Sequence, residues 1–251
     1  RYGLVAFASS LDQIGPITNN VEDAKLIFNS MKGHDPLDAT SLIETKTLQP
    51  KLKKAKIGII KELMEDGISE DAKQEVRKVA KLMEAEGHEI IEVSIPLTKL
   101  SISIYYLIAP AECSANLSRF DGVRYGNRET GHTSSEMMEL TRANGFGPEV
   151  KKRILLGTYA LSAGYYDAYY GQALKARAMM KKEFNDIYKD IDYLISPTTP
   201  SDPFKLGEKS DNQLEMYMSD LCTIPANLVG MPAISIPTGL SSKGLPLSVQ
   251  I

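Results

Sequence analysis

Two short apolar runs with an amphipathic segment between them, at residues 56–93, restrict the fold more tightly than any other feature of this chain. Lys56–Ile60 reads KIGII and Glu89–Val93 reads EIIEV, each about the length of one strand. Between them Val76, Val79, Ala80 and Met83 recur at helical spacing, behind Ser69 as a cap and ahead of Gly87 as a stop. Glu70 and Asp71 fall in the first turn, where they complement the helix dipole. Strand, helix and strand at this spacing predict a parallel pair joined by a right-handed crossover.

The rest of the chain alternates in the same manner. Residues 2–7 read as a short strand, and Gly15-Pro16 marks a turn. Asn19 or Asn20 caps a helix with Val21, Ala24, Ile27 and Phe28 on its apolar face, ended by Gly33. Residues 33–55 show no clear periodicity and read as a crossing loop or linker. From 100 to 117 apolar residues return at helical spacing around Tyr105 and Tyr106, with Pro110 expected to kink or interrupt the helix. Residues 118–147 read as glycine-rich loops around one short helix, and Gly147-Pro148-Glu149 as the start of the next. A third strand is expected at 192–196, a helix at 214–221, and turns around a short strand at 233–236. The final LPLSVQI also reads as a strand. Interleaved strands and helices predict an α/β fold with a mixed sheet.

Residues 153–177, RILLGTYALSAGYYDAYYGQALKAR, carry a different pattern. Placed on one helix, Arg153, Gly157, Ala160 and Gly164 share a face at i, i+4, i+7 and i+11. The arginine heads a seam with almost no side chain, so either another helix or a ligand bearing a negative group comes close there. Tyr166, Tyr169, Ala173, Ala176, Met180, Phe184 and Ile187 form a second amphipathic run, with Gly164 as the break between the halves.

Composition excludes several classes. The 251 residues are 43% apolar and 24% charged with a net charge of −3, which leaves no basic footprint for direct nucleic-acid binding. No apolar run approaches the roughly 20 residues of a membrane helix. Cys113 and Cys222 lack metal-ligand spacing and read as reduced, partly buried thiols. The chain begins at Arg1 and stops inside an apparent strand, so both ends read as cut from a longer protein.

No catalytic centre is legible in the residues themselves. There is no GxSxG elbow, no glycine–serine-rich loop, no P-loop and no dinucleotide fingerprint. His34, His88 and His132 lie in loop or turn contexts and read as exposed polar residues. A binding centre is another matter. Arg153 is suited to bidentate recognition of a carboxylate, or to a plain i,i+4 ion pair with Glu149 on a solvated face. Tyr105 and Tyr106 fit core packing equally well, and Asp220 fits a helix end or surface as well as a site.

Three segments together are specific: ASSLDQIGPITNNVEDA (8–24), GYYDAYYGQALKAR (164–177) and TIPANLVGMPAISIPTG (223–239). They resemble the amidase signature family. ANLSRFDGVRYG (115–126) and GFGPEVKKRILLGTYALSAGYYDAYY (145–170) look like its branch of A subunits from aspartyl/glutamyl-tRNA(Asn/Gln) amidotransferases. The resemblance spans 1–251 and implies the C-terminal part of a single amidase-signature domain. Its fold would be a mixed central sheet covered by helices on both sides and truncated at both ends.

The resemblance also implies chemistry. The family uses a Ser–cis-Ser–Lys triad, and all three residues lie N-terminal to the point where this sequence starts, so no catalytic residue is expected in this chain and it should be inactive alone. The complete subunit would hydrolyse glutamine, and ammonia would pass to a partner that uses ATP and magnesium to activate misacylated tRNA. This chain itself would bind no cofactor or metal. Its partners would be subunits B and C, glutamine, and tRNA reached through the partner, in the cytoplasm and without a membrane. Glutamine would be held by Arg153 in KKRILLG, Tyr105 in IYYLIAPAE with Tyr106 as the register alternative, and Asp220 in MYMSDLCTIP. A general amide hydrolase, or a non-catalytic α/β domain that binds an amino acid or a protein, are the competing expectations.

Overall fold

The computed structural model describes residues 2–43, 54–209 and 212–251. Its elements run α1 Val21–Met31, β1 Lys56–Ile60, α2 Glu70–Ala85, β2 Glu89–Val93, α3 Ser101–Leu117, α4 Ser134–Gly145, α5 Pro148–Leu161, α6 Tyr170–Ile187, β3 Tyr193–Pro197, α7 Gln213–Met218, α8 Ile224–Val229, β4 Ser235–Leu240 and β5 Pro246–Gln250. The chain divides into two compact units, residues 1–14 with 103–175 and residues 15–102 with 176–251.

The second unit is built on a five-stranded sheet in the order β2–β1–β3–β5–β4. β1 pairs in parallel with β2, from Lys56 opposite Glu89 to Ile60 opposite Val93, and in parallel with β3 on its other side. β5 is antiparallel to both β3 and β4, so the sheet is mixed as expected. The α2 crossover forms where its sequence signals lie, with Ser69 Oγ accepting the Ala72 N–H at 3.3 Å. Its apolar stripe, Val76 and Ala80, packs on Ile57, Ile195 and Val249. Each large aliphatic side chain buried in this way contributes about 1.5–3 kcal/mol. On the opposite face Phe184, Tyr188, Cys222 and Pro225 gather over Ile60, Leu194 and Gln250. Gln250 Nε2 donates to the Cys222 carbonyl at 3.1 Å, and Arg177 Nε donates to the Leu228 carbonyl at 2.6 Å, tying α6 to α8. Gly58 has no side chain because its neighbours fill the space: a Cβ there would stand 2.8 Å from Leu194 Cδ2.

The first unit is helical. α3 is apolar on nearly every side and buries Ile104, Ile108, Ala109, Ala111 and Cys113. α5 begins at Pro148 behind Gly147, as its sequence predicts, and buries Gly157 and Ala160. Gly157 rests on the main chain of α3, where a Cβ would overlap the Pro110 carbonyl and approach Ser114 Cβ to 2.8 Å. One residue on, Ser114 Oγ and Thr158 Oγ1 are hydrogen-bonded at 2.8 Å. The glycine seam is therefore a helix–helix contact.

Several expectations need correction. Residues 2–7 form turns and bends, not a strand. Pro110 does not interrupt α3, because burial on both sides of it offsets the lost hydrogen bond. Gly164 is not on the α5 face: the helix ends at Leu161, and Gly164 adopts φ +86° in the turn that follows. That turn leaves Tyr159, Tyr165 and Tyr169 as an exposed cluster, while Ala173, Met180 and Phe184 of α6 are buried. Within 223–239 the IPANLV segment is helical, with Pro225 in its first turn and Gly230 in the left-handed conformation at its end. The apolar face of α1 exists, with Asn20 as its cap, yet no residue of α1 is buried. The expected linker is irregular over 33–43, and its residues 44–53 lie outside the described ones.

Gly157→Ala is expected to destabilise the protein by at least about 1–3 kcal/mol, the range for overpacking, because backbone at Pro110 cannot rotate away. A urea midpoint that falls at constant m value would show it. Gly171→Ala is the control, since its Cβ would stand 3.4 Å from the nearest atom.

Candidate functional site

The helix contact that needs Gly157 also brings Arg153, one turn earlier on α5, beside Tyr105 on α3. Arg153 Nη1 donates to Tyr105 Oη at 3.2 Å, and Nε donates to Glu149 Oε1 at 2.8 Å. The i,i+4 ion pair and the inward-facing arginine thus coexist. The arginine side chain is only 18% exposed, against 49% for Glu149, so this is not a pair on a solvated face. The guanidinium carbon stands 5.5 Å from the Tyr106 ring centre and 5.7 Å from that of Phe7. Cation–π contacts of this kind contribute about 0.5–2 kcal/mol each. Tyr105 and Tyr106 meet edge-on, with centres 4.9 Å apart. Both tyrosines therefore touch the arginine, Tyr105 through its hydroxyl and Tyr106 through its ring.

Burial opposes the charge on Arg153, but the hydrogen bonds it donates to Glu149 and Tyr105 outweigh it and hold the proton more firmly than in an ordinary arginine. Cys113 feels the same field. Its thiol is pushed up by burial, pulled back by Arg153 and pushed up again by Asp12.

Sequence reasoning missed four residues here: Phe7, Asp12, Glu112 and Asn116. Glu112 accepts the Ser10 N–H, and Asn116 donates to the Phe7 carbonyl, so the 7–12 loop lies against α3. The available signal was a carboxylate and an amide inside an otherwise apolar helix, spaced i+7 and i+11 from Tyr105.

Asp220 belongs to the second unit. It is exposed in the turn after α7, where its carbonyl accepts the N–H groups of Thr223 and Ile224. His34 and His132 are exposed as expected, whereas His88 is half-buried and its Nδ1 accepts the Ala55 N–H at 3.1 Å. The depression at Arg128–Met137, about 430 Å³, is open and gathers no convergent chemistry. Among the described residues no helix is long and apolar enough to cross a membrane, and no group of His, Cys, Asp or Glu is placed to hold a metal ion.

Known proteins match this arrangement along its whole length. A family model described as Amidase matches residues 1–251. The chain belongs to the amidase family. The A subunit of glutamyl-tRNA(Gln) amidotransferase from Thermodesulfovibrio yellowstonii is 50% identical over 256 residues, covering 100% of this chain and 53% of the relative. The protein of the same name from Halothermothrix orenii is 51% identical over 257 residues, covering 100% of this chain and 54% of the relative. A crystal structure of the glutamyl-tRNA(Gln) amidotransferase A subunit from Thermotoga maritima superposes with a TM-score of 0.77 at 39% identity, covering 100% of this chain and 50% of that one. The chain spans about half the length of the curated relatives it matches. The mixed sheet with helices on both faces is thus the amidase fold that the sequence resemblance implied.

Neither thiol in this amidase chain is expected to react. Cys222 is pushed up to about 12 by burial and Cys113 is raised as well, so both stay protonated at pH 8. A thiol reagent at that pH should label neither cysteine in the folded protein and both in denaturant.

Proposed function

We propose that this chain is the glutamine-recognising part of the A subunit of a tRNA-dependent amidotransferase. In this reading the complete subunit hydrolyses glutamine to glutamate and ammonia. The ammonia converts misacylated Glu-tRNA(Gln), or Asp-tRNA(Asn), to the correctly amidated form. Subunits B and C are its partners in the cytoplasm, and the partner subunit, not this chain, uses ATP and magnesium and engages the tRNA. The serine and lysine residues that the family resemblance implies belong to the half of the relatives outside this sequence.

The observation that carries the reading is the Arg153–Tyr105 contact. Nε of Arg153 is taken by Glu149, and Nη1 gives one hydrogen to Tyr105. Nη1 and Nη2 together form the end-on edge of the guanidinium fork, a geometry that suits a carboxylate. A substrate α-carboxylate placed there also lies within reach of the Tyr105 hydroxyl, and the role of binding the α-ammonium is the one that the family resemblance implies for Asp220. A half-buried arginine left without its carboxylate penalises simple amides, which gives selectivity that an apolar pocket lacks. The naming of relatives at about 50% identity over this whole chain supports the same reading.

Arg153→Ala in the full-length, assembled enzyme is expected to lower kcat/KM for glutamine by at least about 100-fold, the scale of losing one partner of a buried charge pair. Amidation supported by free ammonia should persist, because it bypasses this site. Glutamine-dependent activity that survives the change rules out the role given to Arg153. If the unsubstituted subunit hydrolyses simple aliphatic amides as fast as glutamine, a general amide hydrolase is the better description.

A further inference from the structure

The 7–12 loop is fastened to α3 by side chains that carboxylate recognition does not itself require. Tyr105, Ala109, Glu112 and Asn116 share one face of α3 at i, i+4, i+7 and i+11. Tyr105 meets Arg153 at the head of that face. Two turns on, Glu112 Oε2 accepts the Ser10 N–H at 2.9 Å and Oε1 accepts the Ser10 hydroxyl at 2.6 Å. Asn116 Nδ2 donates to the Phe7 carbonyl at 3.1 Å and to Ser9 Oγ at 3.0 Å. Asp12 closes the loop on itself, its carboxylate accepting the N–H groups of Phe7 at 2.9 Å and Ala8 at 3.0 Å. Phe7 is held through both its N–H and its carbonyl, and its ring is the one set against Arg153.

We propose that Glu112 and Asn116 are positioning residues for amino-acid binding. They latch the 7–12 loop so that Phe7 packs on Arg153 and keeps the guanidinium edge turned to receive the substrate carboxylate. The proposal rests on the carboxylate reading of Arg153 given above. The physical reason is preorganisation. An arginine side chain has four flexible torsions, and fixing them before the ligand arrives removes that cost from binding. Glu112 is suited to the task because a carboxylate accepts two hydrogen bonds at once, and charge-assisted bonds are the stronger ones. It is also a carboxylate in an apolar helix whose described hydrogen bonds go to the loop main chain and a hydroxyl, not to a cation.

The test uses the full-length A subunit in the assembled enzyme. Glu112→Ala removes both bonds to Ser10, while Glu112→Gln keeps the shape and one acceptor. For Glu112→Ala the KM for glutamine should rise about 10-fold, as expected for lost hydrogen bonds to a charged group, with kcat changed by less than about 2-fold. Glu112→Gln should recover part of the loss, and Asn116→Ala should raise KM in the same direction. In an Arg153→Ala background, Glu112→Ala should add less than about 2-fold, because it acts through that arginine. Full glutamine use by Arg153→Ala would overturn the carboxylate reading and the positioning role with it. Impaired Arg153→Ala beside wild-type KM values for both Glu112 variants would overturn the positioning role alone. That role also fails if the Glu112→Ala loss falls on kcat, extends equally to ammonia-supported activity, or adds in full to that of Arg153→Ala.

Discussion

The first unit depends on one close approach, the backbone of Gly157 against the carbonyl of Pro110. Any side chain at 157 would hold α5 away from α3, and everything around Arg153 follows from that contact. The pairings Arg153 with Tyr105, Gly157 with Pro110 and Thr158 with Ser114 advance together along both helices, so the two run parallel. A guanidinium one turn ahead of the contact then falls within hydrogen-bond reach of a tyrosine five residues ahead of the proline. The choice between helix packing and ligand recognition in the 153–177 stretch is therefore not exclusive. Packing at the glycine is what aims the arginine.

The charge so placed is held by mixed means. Glu149 and Tyr105 bond it, Tyr106 and Phe7 face it with their rings, and burial works against all of them without prevailing. A half-buried cation held this way keeps its charge and its orientation, the two properties carboxylate recognition needs. The loop that carries Phe7 is anchored by a carboxylate and an amide, so polar groups inside an apolar helix do positioning rather than solvation. The second unit combines an apolar core with polar ties. Apolar side chains of β1, β3 and β5 meet α2 on one face, and side chains such as Glu62, Asp71, Arg177 and Gln250 tie the surrounding segments to them.

Much of the architecture was legible because it rests on local rules. The α2 crossover was readable from periodicity, Ser69 and the flanking apolar runs, and α5 from Gly147-Pro148. Where local rules failed, tertiary packing had outvoted them. Pro110 ought to break a helix, and burial on either side of it kept α3 whole. Residues 2–7 look like a strand by composition, yet the Phe7 N–H goes to Asp12 and its carbonyl to Asn116 instead of to a neighbouring strand. The IPANLV helix is short and opens with proline, so periodicity had too few residues to reveal it.

The sequence by itself determined most of the elements, the order in which strands and helices alternate, the reduced cysteines' place in apolar surroundings and the candidacy of Arg153, because each depends on residues within a turn or two of one another. Its long matching segments also carried the family. The residue pattern around Arg153 leaned towards a surface ion pair with Glu149 four residues away, and only the family resemblance turned it towards carboxylate recognition. Tertiary structure turned the arginine inward by setting Tyr105, Tyr106 and Phe7, which lie far off along the chain, around a single guanidinium. It alone revealed the partners of Glu112 and Asn116, which are more than a hundred residues distant in sequence. Their helical spacing from Tyr105 is visible in the sequence, but what they bond is not, because that is set by how α3 and the 7–12 loop pack and not by what stands beside each residue.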